Sequence, residues 1–522
     1  MSTLLANYIH GEWVQGGDLG VALYNPVTAA ELVRVSSTGL DLSRAFEFAR
    51  TFGKAALREL TYAARGEALS ACVAVLKRNR EKYLETSLVN SGTIQADSCI
   101  DIDGAIFTLG YFAKLAVSLG AVRQLRDGGP IDLAKDGAFR AQHLYCPIDG
   151  VALLINAFNF PAWGLWEKAA PALLSGVPVI VKPATSTCWV AQQMVQDIVE
   201  SKVLPAGALS IICGRSDGLM DQLRAFDVFS FTGSCGTAGA LRRHRAISEF
   251  SVRSNVESDS VNSALLDPQA GENSPSFTNL VREVVREMTS KSGQKCTAIR
   301  RVFVQSRHAA ALCSALEAAL RTKKVGNPRN SSVDMGSLVS RVQRNHVESG
   351  IDRLKRVAKT VFDGSTVPLI DVDGRDSSVL APWLLAAEGS PPDELLHTEE
   401  VFGPVATVIP YDDLDRALTM IKAGQGSLVI SLFTDDSSSV IPIALKLGPH
   451  HGRVHVVTPD VAKSHTGHGN VMPMSLHGGP GRAGGGEELG GVRALALYHQ
   501  RTVIQASRVV VDHLSQLPLI SG

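Results

Sequence analysis

Between residues 147 and 245, short apolar runs alternate with helical ones, and no other feature constrains the fold as much. Gly150 to Ile155 reads as a buried strand, Ala162 to Leu174 as a helix stopped by Ser175-Gly176, and Val177 to Val181 as a second strand. Ser186 to Glu200 reads as a helix, Ala208 to Cys213 as a strand, Asp217 to Phe226 as a helix, Val228 to Phe231 as a strand and Ser234 to His244 as a helix. Short apolar strands alternating with helices mean βαβ units on a parallel sheet. The class is α/β with a Rossmann-like part, and such sheets bind nucleotides beyond the carboxyl ends of their strands.

The usual G-x-G-x-x-G does not follow the first strand. Instead Phe231-Thr232-Gly233-Ser234 ends a strand and opens a helix, and Gly236 and Gly239 follow. A helix N-terminus beside a glycine offers free N–H groups to a phosphate, although an ordinary strand-to-helix turn has the same pattern. The second strand ends in Lys182-Pro183-Ala184-Thr185. A carboxylate there would hold a ribose 2′-hydroxyl and repel a 2′-phosphate. Lys182 and Thr185 stand in its place, and Arg215 follows the third strand, so the expected cofactor is NADP rather than NAD.

The chain's 522 residues exceed one ordinary domain. Its 51 acidic and 51 basic residues cancel, without the basic excess usual for nucleic-acid binding. Residues 1 to 11 show no signal peptide and no apolar run reaches the ~18 residues of a membrane span, so a cytoplasmic protein with neither partner is expected. Tyr8 to Val14 reads as a hairpin turning at Gly11, and residues 40 to 119 as helical scaffold interrupted at Asn90-Ser91-Gly92, with no chemistry assigned. Residues 121 to 146 look like two polar strands turning at Asp127-Gly128-Gly129-Pro130, either a surface hairpin or an arm that pairs with another subunit.

None of the eight cysteines forms a C-x-x-C pair, which points to free thiols in a reducing compartment. Cys296 differs in context: it lies in Lys291-Ser292-Gly293-Gln294-Lys295-Cys296-Thr297, between a helical run and the strand-like Arg301 to Val304. That is a setting for a presented thiol, with N–H groups and positive charge favouring the thiolate. The expectation is a covalent nucleophile.

Six motifs, Asn159-Phe160-Pro161, Lys182-Pro183-Ala184, Phe231-Thr232-Gly233-Ser234, Gly293-Gln294-Lys295-Cys296, Glu400-Val401-Phe402-Gly403-Pro404-Val405 and Glu487-Glu488-Leu489-Gly490, stand in one register across nearly the whole chain. Together they resemble the aldehyde dehydrogenase superfamily. The runs Ser292 to Arg301, His465-Thr466-Gly467-His468-Gly469 and His477 to Gly486 resemble a subgroup that oxidises CoA-linked semialdehydes after aromatic ring opening. Some relatives in that subgroup carry a further hydratase domain; with the chain ending at Gly522, the free-standing form fits better.

The resemblance implies a dinucleotide-binding domain at 1–120 and 148–258 and an α/β catalytic domain at 259–458. It implies a return to the nucleotide domain and substrate mouth at 459–498, and an oligomerisation β-arm at 121–147 and 499–522. A homodimer or dimer of dimers follows. Cys296 would add to the aldehyde, since a tetrahedral thiohemiacetal is the better hydride donor. Asn159 and the Cys296 N–H would hold the oxyanion. Glu257 would activate water against the thioester, with Ser258-Asp259 replacing the family's usual glycine pair and Asp259 raising the Glu257 pKa by like charge. Glu488 would relay the proton, although Glu487-Glu488 also reads as an acidic helix start. Ala157, Phe158, Lys182, Ala184, Thr185, Arg215, Gly233, Ser234, Glu400 and Phe402 would bind the cofactor.

His465, His468 and His477 do not have zinc-site spacing, so no metal is expected. They are expected near the substrate mouth, toward CoA. An acylating dehydrogenase is the alternative activity, against which Glu257 counts. A non-enzymatic scaffold is disfavoured by the intact Asn159, Glu257 and Cys296.

Overall fold

The alternating strands assemble into a seven-stranded sheet in the order Arg253–Glu257, Val228–Thr232, Ala152–Ile155, Val179–Lys182, Leu209–Ile211, Asn7–Ile9 and Glu12–Val14. The first five are parallel, and the N-terminal hairpin adds antiparallel at one edge, turning through His10 and Gly11 at positive φ. The computed structural model describes residues 2–373, 376–389 and 392–519. The central strands are buried on both faces, which explains why they read as continuous apolar runs.

The predicted helix at 217–226 does not form; that segment holds only a three-residue 3-10 turn, Met220–Gln222. Buried Asp227 diverts the local hydrogen bonds by accepting from the Arg224 and Val151 N–H groups at 2.7 and 2.8 Å while pairing with Arg50. The strand leading to Glu257 is Arg253–Glu257; just before it Ser251 lies at φ 54.

A second seven-stranded sheet runs Ala358–Phe362, Trp383–Ala387, Val405–Tyr411, Ile299–Gln305, Asn262–Leu266, Ser427–Phe433 and His451–Val457. Only its first pair is antiparallel. Helices Pro275–Thr289 and Ser306–Arg321 cover one face with Leu280, Val284, Met288, Leu312 and Leu316.

Strands Leu125–Asp132, Phe139–Pro147 and His499–Ser507 form an antiparallel ribbon. Asp127 to Pro130 is an irregularity within the first strand, and the chain reverses instead at 133–138. After Ser507 the chain becomes the helix Arg508–Leu514; residues 520–522 of the expected arm lie outside the described residues.

Contrary to expectation, the helix Gln95–Leu119 is long and apolar enough, by length and composition, to cross a membrane; its most apolar window has mean hydropathy 1.4. Half of that window is buried, and Ile102, Ala105, Ile106, Leu109 and Phe112 share a core with helices Tyr62–Arg78 and Trp163–Leu174. Buried Asp97 and Asp101 on this helix anchor two functional segments, so the scaffold reading of residues 40–119 was incomplete.

Candidate active site

Ser274 caps the helix Pro275–Thr289, with Pro275 in its first turn where no N–H is needed. The helix ends in three consecutive left-handed residues, Lys291 (φ 49), Ser292 (φ 54) and Gly293 (φ 68). Two of these carry side chains, so the surroundings must hold the turn. Asp97 accepts from the Lys291 N–H and the Ser290 hydroxyl, both at 2.8 Å. Arg300 donates to the Gly293 carbonyl at 2.8 Å. A side chain at Gly293 would place its Cβ 2.3 Å from the Gly403 carbonyl oxygen. The turn delivers Cys296, whose carbonyl accepts from Asn262 at 2.8 Å.

Cys296 lies where two cavities of about 470 Å³ meet. One is bounded by Ala157, Phe158, Asn159, Ala184, Gly233, Ser234, Glu257, Glu400 and Phe402, which gathers most of the residues assigned to cofactor and chemistry. The other is largely apolar and runs past Phe160, Trp163, Val471 and Met472 to Ile100 and Phe107. Lys182, Thr185 and Arg215 do not line the first cavity. Lys182 is buried at its strand end, with Nζ 3.4 Å from Thr185 Oγ1; Thr185 donates to the Gly214 carbonyl at 2.7 Å. Exposed Arg215 accepts from Ser37 through its own carbonyl.

At the helix start after Gly233, Ser234 caps Thr237 N–H at 3.3 Å. The next N–H, of Cys235, donates to Asp259 at 2.8 Å. Asp259 also lies 3.6 Å from Arg482. It is therefore turned to this helix, and it does not set the charge of Glu257 as predicted. Glu400 is buried and accepts from Ser260 N–H at 3.2 Å. Burial lifts its carboxyl to about 8 against the pull of Arg300. Phe402 packs edge-on against Phe158 with ring centroids 5.6 Å apart.

Glu257, Cys296 and His477 bring a carboxylate oxygen, the sulfur and a ring nitrogen within 4.8 Å of one another. His477 Nε2 is 3.1 Å from Glu257 Oε2. Burial pushes the Glu257 carboxyl up, but His477 and Lys168 more than offset this and hold it below its usual range. The His477 imidazole moves the other way: burial favours neutrality, and the carboxylates of Glu257, Glu167 and Glu488 raise it. Cys296 is pushed well above the usual thiol range by burial and by Glu257, Glu167 and Glu400. This corrects the expectation of a favoured thiolate. Lys295 offers no help, because its Nζ turns to Glu287 at 2.7 Å in a buried pair.

Behind this group, Lys168 Nζ pairs with Glu167 and lies 3.0 Å from Glu488 Oε2. Asn255 donates to Glu488 at 2.9 Å. Glu488 is not at a helix start: it sits on the strand Glu487–Leu489, directly opposite His477 on the strand Leu476–Gly478. Glu167, His477 and Glu488 also converge within 4.8 Å, a donor set whose two carboxylates Lys168 already contacts. Of the other histidines, His468 is buried against Ser431 at 2.6 Å and His465 contacts His455 at 3.2 Å, so neither lines the cavities at Cys296.

Sequence reasoning missed Glu167, Lys168 and the partnership of His477. The adjacent charges Glu167-Lys168 inside the otherwise apolar helix Trp163–Leu174 were the available signal, since buried charges are found paired.

A parallel nucleotide-type sheet, with a cysteine at the junction of two cavities, fits the class of α/β dehydrogenases. The chain belongs to the aldehyde dehydrogenase family, whose model matches residues 13–503. Members of this family use NAD or NADP. The chain is 48% identical over 477 residues to 3,4-dehydroadipyl-CoA semialdehyde dehydrogenase of Aromatoleum evansii, covering 91% of this chain and 93% of that one. Its fold is similar to succinate-semialdehyde dehydrogenase from Burkholderia pseudomallei, with TM-score 0.83, 23% identity and coverage of 96% and 98%. It is also similar to an aldehyde dehydrogenase from Bacillus cereus in complex with NAD+, with TM-score 0.82, 20% identity and coverage of 97% and 96%.

Proposed function

We propose that this enzyme oxidises a CoA-linked aliphatic semialdehyde, 3,4-dehydroadipyl-CoA semialdehyde, to the carboxylic acid with NADP+ and water. The carrying observation is the position of Cys296 at the junction of two cavities, with Glu257 and His477 beside it. The choice of substrate rests on the Aromatoleum relative. The apolar cavity suits an acyl chain, and the cavity beside Gly233, Ser234 and Glu400 suits a dinucleotide.

Cys296 sulfur adds to the aldehyde carbon, and its proton passes to Glu257. The side-chain amide of Asn159 and the Cys296 N–H hold the oxygen that gains charge. Gly233, Ser234, Glu400 and Phe402 would hold NADP+, which would supply the hydride acceptor and a positive charge. Once that proton has left Glu257, Glu257 takes a proton from the water that attacks the thioester carbon and returns it to the departing Cys296 sulfur, releasing acid and restoring the thiol. His477 holds the base toward Cys296, and Glu488, through Lys168, receives the thiol's proton from Glu257 before the hydrolysis step. The free enzyme keeps Cys296 as thiol, so activation belongs to the loaded site.

Lys182, buried and carrying no ion pair among the described residues, supports NADP at the end of the second strand. Exposed apolar side chains on the ribbon, Ile131, Phe139 and Val503, support an arm that pairs two copies. All eight cysteines are free thiols, in keeping with a cytoplasmic setting.

Glu257→Gln tests the chemistry. It should yield NADPH in at most a single, slowed burst and retain the acyl group as a thioester on Cys296 detectable by mass spectrometry, whereas normal turnover would remove Glu257 as base. Acid formed without added free CoA separates this reaction from an acylating dehydrogenase.

A further inference from the structure

We propose that the cleft between helices Tyr62–Arg78 and Gln95–Leu119 binds the phosphorylated nucleotide end of CoA, while the acyl end of the same molecule reaches Cys296. The inference rests on the CoA-linked substrate reading above and assigns that substrate a second site.

The cleft has a volume of about 820 Å³. It adjoins the apolar cavity at Cys296, and Asp103 and Phe107 belong to the walls of both. The two spaces thus adjoin at Phe107, between the thiol's cavity and the outer face of the helix. The inner cavity by itself is of ordinary size for a small ligand. A short free aldehyde would be accommodated within it and would leave the outer cleft without a role.

The two spaces share a mostly apolar lining and differ in charge. The inner one is mostly apolar, as an acyl chain and its linker require. The outer one brings Lys77, Arg80 and Lys114 together. Arg80 is held by Asp103 at 2.6 and 2.7 Å and also contacts Glu81 at 2.7 Å. That pairing balances the one carboxylate at the junction, so an anion can pass it. Lys77 and Lys114 are exposed and have no ion-pair partner among the described residues, which leaves two cations for phosphate.

Aromatic and thioether surface lies beside them. Phe107 is 50% exposed and Met474 is 52% exposed, and both line the cleft with Tyr111. A flat purine stacks on such side chains while its phosphates meet the lysines. Phosphate, purine and an apolar linker leading to a reactive carbon are the parts of a CoA thioester.

The test is steady-state kinetics on the full-length enzyme and on the double variant Lys77→Glu/Lys114→Glu, with adipyl-CoA semialdehyde and hexanal as probes. Both lysines are exposed and outside the catalytic group, so the fold should persist. The KM for the CoA probe should rise about tenfold or more, equivalent to about 1.4 kcal/mol, with kcat and hexanal turnover unchanged. Free CoA should compete with the CoA probe on the wild type, dephospho-CoA more weakly, and neither on the variant. If the wild type favours the CoA probe and the variant favours it equally, the cleft is wrong and the substrate class stands. If the wild type itself shows no preference for the CoA probe over hexanal, the substrate reading fails first. A variant that changes only its sedimentation, with selectivity intact, identifies the face as a contact between copies and overturns the proposal.

Discussion

His477 Nε2 stands 3.1 Å from Glu257 Oε2, and His477 is the cross-strand partner of Glu488. One imidazole thus links the carboxylate beside Cys296 to the buried charges of Lys168 and Glu488. Burial opposes ionisation of Glu257, whereas His477 and Lys168 favour it and prevail. Removing the imidazole leaves burial less opposed, so the Glu257 pKa must rise. His477→Asn should shift the acidic limb of the kcat profile to higher pH. At neutral pH kcat should fall about ten- to hundredfold, with partial recovery in alkaline buffer. An unchanged limb would separate His477 from the base.

Gly293→Ala should cost about 1–3 kcal/mol or more in folding stability, with loss of activity. The residue lies at φ 68, and the new Cβ would meet the Gly403 carbonyl at 2.3 Å. Chemical denaturation measures the first effect. An active-site thiol titration should show Cys296 displaced even in the folded fraction.

Lys295→Met should destabilise by about 3 kcal/mol, because Glu287 would remain buried with only Arg286, 3.9 Å away, as a cation. The double variant Lys295→Met/Glu287→Met should recover much of that loss in a double-mutant cycle. Additive losses would show that the two charges do not depend on each other.

Lys182→Ala should lower kcat/KM for NADP about tenfold or more while changing NAD turnover far less. The expectation follows from the absence of a carboxylate at this strand end and from the location of Lys182 beside Thr185. Kinetics with both dinucleotides measure it. Equal losses with both would assign the lysine to packing.

Local pattern carried most of the first sheet. The strands at 152–155, 179–182, 209–211 and 228–232 fall inside the predicted runs because a strand covered on both faces is apolar along its whole length. The failed helix at 217–226 had suitable residues, but Asp227 claims its neighbours' N–H groups through a fold-wide contact with Arg50. The helix Gln95–Leu119 looked like scaffold because its apolar side chains are its most evident feature. It also holds Asp97 against Lys291 and places Asp103 and Phe107 in the walls of two adjoining cavities, contacts that only the fold brings together.

The sequence by itself determined the parallel α/β class, the family, and the grouping of Asn159, Glu257 and Cys296 as candidates for one reaction. These depend on periodicity and on motifs read locally along the chain. Only the tertiary structure decided the electrostatics of the site. Cys296 looked poised as a thiolate, but burial and Glu257 push its thiol pKa up, while His477 pulls the Glu257 carboxyl down and Asp259 turns to another helix. A pKa is set by burial and by whichever charges fold within a few ångströms. Those charges come from segments far apart in the chain, and no local pattern records where they meet.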